Sequence, residues 1–215
     1  MKRYGYWKRI NQGKALASLA ALMGSALVVF LLIICLPGRK GGETKVDAAG
    51  ALSDMEEICG ESRIETLADL KEFKRDGNPA DFLSRNSVYV LDEEAVDRYV
   101  QTYVAGAESA AMAQGKSIEE LIISDWGYES LESYKKAVRE EAEDFIKKRL
   151  AVYEVAKIYD IAVNAKEYER LLGTYAERFS YTTAEEFSTD CTARSIADEM
   201  LYDKTIARML GKKVV

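Results

Sequence analysis

The sequence predicts an all-α protein: an N-terminal transmembrane helix followed by an extended multi-helix domain. Three observations carry that prediction. Apolar residues recur at three-and-four spacing through most of residues 92 to 210, with helix-starting residues at the breaks. Only two prolines, Pro37 and Pro79, interrupt 215 residues, and proline is the residue that helices tolerate least because it lacks a donor and clashes with the preceding turn. One uncharged run, "ALASLAALMGSALVVFLLIICL" at residues 15–36, is long enough for a bilayer, its 22 residues reaching about 33 Å at about 1.5 Å each.

Residues 1–14 are basic, with Lys2, Arg3, Lys8, Arg9 and Lys14 ahead of the apolar run against Arg39, Lys40 and Lys45 behind it, the latter offset by Glu43. The positive-inside rule therefore keeps residues 1–14 in the cytoplasm, makes 15–36 a single membrane span and sends the rest outside. Tyr4, Tyr6 and Trp7 suit an aromatic belt on the cytoplasmic side. A cleaved signal peptide and lipidation at Cys35 are the alternatives. The apolar stretch exceeds the usual signal core, its exit "IICLPGRK" lacks small residues, and Ile34 before Cys35 is bulky.

Residues 37–50 read as a flexible, Gly-rich linker. Residues 51–91 are less defined: Met55, Ile58, Leu67, Leu70 and Phe73 suit one or two helices, "RDGNP" breaks the chain, and "SVYVLD" is extended in character with no evident strand partner. From 92 to 215 the helical signal is strong. Asp92 caps a helix from Glu93 to Gln114 with Val96, Tyr99, Val100, Tyr103 and Val104 on one face, ended by Gly115. Ser117 and Glu120 form a capping box for a short helix through Ile123. A helix of about 30 residues follows from Ser130 to Tyr159, its apolar spacing interrupted at Arg149. Asn164 with Glu167 starts another to Phe179, Thr183 with Glu186 a short one containing Phe187, and Ala193 to Leu210 form the last.

The net charge of −6 hides a division. Residues 1–45 hold eight Lys or Arg against Glu43 alone, +7, which leaves −13 for the remainder. So acidic a body, without a basic stripe, repels phosphates, and no nucleic-acid partner is expected. The chain has no histidine, which removes Ser-His-Asp and Cys-His chemistry and imidazole metal sites. Cys35, Cys59 and Cys191 lack the paired spacing of a zinc site and read as isolated, unreactive thiols, with a Cys59–Cys191 disulfide as the alternative. No phosphate-binding glycine loop is present, and neighbouring carboxylates such as Glu140 with Glu141 or Glu185 with Glu186 read as solvated helix surface. No enzyme, metal or cofactor is expected.

What stands out instead is aromatic density: Tyr153, Tyr159, Tyr168, Tyr175, Phe179, Tyr181 and Phe187 lie within 35 residues. They read either as the seam between helices or, since tyrosine pairs an apolar body with a polar tip, as a partly wet gripping surface along the open edge of that seam. The stretch "SIEELIISDWGYESLESYKKAVREEAEDFIKKRLAVYEVAKIYDIAVNAKEYERLLGTYAERFSYTTAEEF", followed by "SIADEMLYDKTIARML", resembles the C-terminal chaperone domain of bacterial trigger factor in the order and spacing of its helices. The basic Gly-Phe-Arg loop by which that family docks on ribosomes has no match here, and residues 37–91 are too few for its FKBP-type prolyl isomerase domain. The resemblance thus implies the holding function alone, without ATP, ribosome docking or isomerase activity. Unfolded or newly exported polypeptides would be the partners, gripped by Tyr153, Tyr159, Tyr168, Tyr175, Phe179, Tyr181, Phe187 and Met200. The rival expectation is a scaffolding membrane protein that docks one folded partner.

Overall fold

The computed structural model of the chain describes residues 46–47, 59–74 and 77–212, and the expected span at 15–36 lies outside them. Among the described residues no helix is long and apolar enough to cross a membrane. The chain is mostly helical, in keeping with the class that the periodicity predicts. It divides into two units: Val100–Val138, and the described part of Ile34–Tyr99 together with Arg139–Val215.

In order, the elements are β1 (Val46–Asp47), β2 (Arg63–Thr66), a 3-10 turn (Leu70–Glu72), α1 (Pro79–Asn86), β3 (Val88–Val90), α2 (Glu93–Ala113), one α-turn (Ile118–Glu120) running into a π-helix (Leu121–Asp125), α3 (Leu131–Ile158), β4 (Ala162–Val163), α4 (Ala165–Arg178), α5 (Ala184–Asp190) and α6 (Ala193–Met209).

The helix starts fall where the side chains can cap. Ser117 and Glu120 close their capping box, the Ser117 hydroxyl accepting from the Glu120 N–H at 3.1 Å and the Glu120 carboxylate from the Ser117 N–H at 2.9 Å. Asn164 accepts from the Glu167 N–H at the start of α4, Thr183 from the Glu186 N–H at the start of α5, and Thr192 from the Ser195 N–H at the start of α6.

Three expectations need correction, each because a partner distant in sequence or a change of pitch decides the conformation. The helices expected within 52–74 give way over the described residues to β2 and a 3-10 turn, because β2 supplies the strand partner that "SVYVLD" lacked: Arg63 faces Val90, Ile64 faces Tyr89 and Thr66 faces Val88, antiparallel, with an irregularity between Ile64 and Thr66. At the end of "RDGNP", Asn78 caps α1 and Pro79 opens it, at the position where its missing N–H is harmless. The linker at 37–50 is in part a strand, since Val46 and Asp47 pair antiparallel with Val163 and Ala162. The short helix after Ser117 changes pitch, the Trp126 N–H reaching back five residues to the Leu121 carbonyl.

In the larger unit Leu83, Ala151 and Val155 form a buried centre onto which Ile64, Leu67, Leu70, Phe82, Tyr89 and Met209 pack. The β2–β3 pair and α1 are thereby fixed to the middle of α3. Lys148 strengthens that junction by reaching Asp81 of α1 at 2.5 Å and Asp144 at 2.7 Å. In the unit Val100–Val138, Leu121 and Ile122 are buried, Trp126 and Tyr128 pack on Tyr134 at 5.5 and 5.2 Å, and Lys116 meets Asp125 at 2.5 Å.

Asp92 does more than cap α2. One carboxylate oxygen accepts from the Glu94 N–H at 2.9 Å and the other from the Glu61 N–H at 3.0 Å, tying the loop before β2 to α2. The Glu61 hydrogen bond, above all, lowers the Asp92 pKa. Gly60 makes the approach possible: its φ is +57°, and a Cβ there would stand 1.9 Å from that carboxylate. Gly60→Ala is therefore expected to lower stability by at least about 1–2 kcal/mol from backbone conformation alone, with more from the displaced Asp92, as measured by chemical denaturation. An unchanged midpoint would contradict this junction.

Candidate functional site

The aromatic set that the sequence singles out divides unevenly between interior and surface. Tyr153, Tyr168, Tyr175, Phe179, Phe187 and Met200 are all buried; Tyr181 is half-buried and Tyr159 is exposed. The reason lies in a short return of the chain: after α4, Ser180 takes a left-handed turn and α5 folds back. Phe179 then stacks on Phe187 at 5.5 Å, Tyr181 packs on Phe187 at 5.0 Å and Tyr175 lies 6.5 Å from Phe179. The tyrosine tips are committed to hydrogen bonds within the fold, Tyr175 donating to Asp203 at 2.7 Å and Tyr153 to Asp198 at 2.6 Å. Of the two readings of this stretch, the packed seam describes six of the eight residues, and those six present no open surface for a client in this structure.

The same seam contains the residue at which the helical spacing breaks. Arg149 on α3 is buried, and its guanidinium donates to Glu199, to Tyr153 at 2.7 Å and to Asp198 at 3.4 Å. It also lies over the ring of Tyr202 at 4.5 Å and that of Phe145 at 5.3 Å. Burial, the largest influence, pulls the Arg149 pKa down, but Glu199, Tyr153 and Asp198 together raise it well above the ordinary value. Burial likewise pushes the Tyr153 hydroxyl well up, against the opposing pull of Arg149. A second cation, Arg178 of α4, pairs with Asp203, and a third, Lys204, donates to Glu167 at 2.6 Å and to the Ala162 carbonyl at 2.8 Å. Ion pairs from α6 thus reach α3 and α4, and a lysine hydrogen bond reaches β4. This is an internal clamp, with its charged groups turned on one another.

Cys59 and Cys191 are both buried thiols with no disulfide between them, which removes that alternative in this structure. Burial pushes the Cys59 thiol up to about 12, with Arg149 opposing and Asp198 assisting. Cys59 in the folded chain should accordingly resist alkylation at pH 8 and react only once the chain is unfolded. Since the folded value lies above the unfolded one, the contribution of this thiol to stability is complete below about pH 9 and is lost as the pH rises towards about 12. Rapid labelling of Cys59 in the native chain would contradict its burial.

Among the described residues no group of three or more His, Cys, Asp or Glu could hold a metal. What the surface offers is exposed apolar side chains that the sequence reading did not single out as sites: Met112 at 73% and Ile123 at 50% in the unit Val100–Val138, and Val88 and Ile158 in the other, beside Tyr159. Spacing could not reveal Met112, because it falls off the Val96–Val104 stripe at the far end of α2, in a run of small residues. Ile123 is disguised by "LIIS", where the π-pitch buries Leu121 and Ile122 and turns the third apolar side chain outward. The Lys116–Asp125 pair ties the turn after Met112 to the π-helix that carries Ile123. No family model, curated protein or solved structure matches the chain.

Proposed function

We propose that the chain is a membrane-tethered, extracytoplasmic, ATP-independent holder of unfolded or newly exported polypeptides. The observation that carries this reading is the exposure of Met112 and Ile123, large apolar side chains on helical surface joined by a short, ion-paired connection. Methionine suits the task because its unbranched thioether adapts to many side-chain shapes. The resemblance of residues 92 onward to the trigger factor C-terminal domain supports the same reading, as does the basic N-terminal segment with its 22-residue apolar run. At about 25 cal/mol per Å², a small apolar patch gives weak, reversible contacts once ordering costs are subtracted, which is what a holder needs in order to release.

The expected grip is thereby revised. Tyr153, Tyr168, Tyr175, Phe179, Phe187 and Met200 become scaffold, and the client surface moves to the unit Val100–Val138. The test is aggregation suppression by fragment 45–215 against several unrelated unfolded proteins. Suppression of all of them is the expected result. Suppression of none, with tight binding to a single folded partner, would favour the scaffolding alternative.

A further inference from the structure

Four exposed residues, Lys157, Ile158, Tyr159 and Asp160, end α3 and lead into β4. Ile158 is 59% and Tyr159 48% exposed, so this turn places an aliphatic and an aromatic side chain side by side in solvent. Lys157 is also largely exposed and shares Glu154 at 3.6 Å, and Asp160 adds a carboxylate to the same turn. After the turn, Lys166 presents a further cation at the surface.

The position of this turn relative to the tether sets it apart from Met112 and Ile123. Val46 pairs with Val163, and Val163 follows Tyr159 by only four residues. The chain therefore enters the larger unit beside this turn. From Leu36, the end of the apolar run, to Val46 there are ten residues, an extended reach of at most about 35 Å at about 3.5 Å per residue. Arg39, Lys40 and Lys45 lie within that stretch, and basic residues next to a span are drawn towards an anionic lipid surface, which shortens the effective reach.

We propose that the Ile158–Tyr159 turn rests in the headgroup layer of the membrane that carries the chain, so that the larger unit docks on the lipid surface by its β1–β4 corner. Tyrosine is enriched at that depth because its ring sits among the upper acyl chains while its hydroxyl stays wet, and Ile158 adds apolar area beside it. Lys157 and Lys166 are the cations available to lipid phosphates, and with Asp160 in the same turn the apolar pair carries the contact. Tyr159 thereby passes from the client-binding set to a lipid-facing one.

This inference rests on the membrane-span reading of residues 15–36, and the experiment separates the two. The full chain and its Tyr159→Trp variant are inserted into phosphatidylcholine–phosphatidylglycerol vesicles, with and without lipids brominated along their acyl chains. Fluorescence is taken as the difference between variant and parent, since both keep Trp7 and Trp126. The expected result is a blue-shifted emission from the introduced indole that is lost in brominated vesicles, from a chain that alkaline carbonate does not extract. Retention in the membrane with an unshifted, unquenched difference spectrum would overturn the docking alone. Extraction by carbonate would overturn the span reading and the docking with it.

Discussion

Glu199→Ala is expected to destabilise the chain by about 3–5 kcal/mol, because it strips the main counter-charge from a buried guanidinium that cannot reach water. Asp198 and Tyr153 remain beside Arg149, and the remaining carboxylate lies at the longer distance of 3.4 Å, so they compensate only in part. The test of mechanism is the double replacement Arg149→Met with Glu199→Leu. Removing both charges removes the desolvation cost along with the attraction, and most of the lost stability should return. A double variant as unstable as the sum of the two single ones would show that the pair does not act as a unit. Equilibrium urea denaturation of the parent, Arg149→Met, Glu199→Leu and the double variant supplies the comparison.

The second large effect is expected at Phe187, which is 1% exposed and lies at the centre of the Phe179–Phe187–Tyr181 ring cluster. Truncation to alanine removes the ring that both neighbours pack against, and α5, of seven residues, holds little else of that size. A loss of about 3–5 kcal/mol follows from the buried aromatic and the cavity it leaves. By contrast Tyr159→Ser, at an exposed position, should move stability by less than about 0.5 kcal/mol. Equal effects at the two sites would contradict the division of the aromatic set into seam and surface.

How much of this was legible in the sequence depended on how local the cause was. Asp92, Ser117 with Glu120, Asn164 and Thr183 announced helix starts that lie within a residue or two of those observed, since a cap acts over three residues. The strand at Arg63–Thr66 was illegible because its partner lies more than 20 residues away, and "RIET" has no alternation strong enough to be read alone. Arg149 registered only as a break in spacing. The carboxylates that make it tolerable, Asp198 and Glu199, are about 50 residues further on, beyond the reach of any local pattern. The aromatic excess was visible, but density alone does not distinguish a buried ring from a wet one. That choice was made by the return of α5 over α4, a packing event no window of sequence contains.

The same distinction applies to the client surface expected at the tyrosines. Tyrosine at an open helix edge is a sound expectation when the edge is open, yet Tyr175 and Tyr153 direct their hydroxyls to Asp203 and Asp198 instead. With those residues committed to the interior, the proposed holding function rests on what remains outside. In the unit Val100–Val138 that is Met112 and Ile123.

The measurement that bears most directly on the proposed holding function is aggregation suppression by the paired variant Met112→Ser with Ile123→Ser, set beside its thermal melting curve. Both side chains are exposed, so the melting temperature should stay close to that of the parent while the suppression of several unrelated aggregating proteins falls sharply. Full suppression by a variant that melts like the parent would contradict the placement of the client surface in this unit, and with it the central claim.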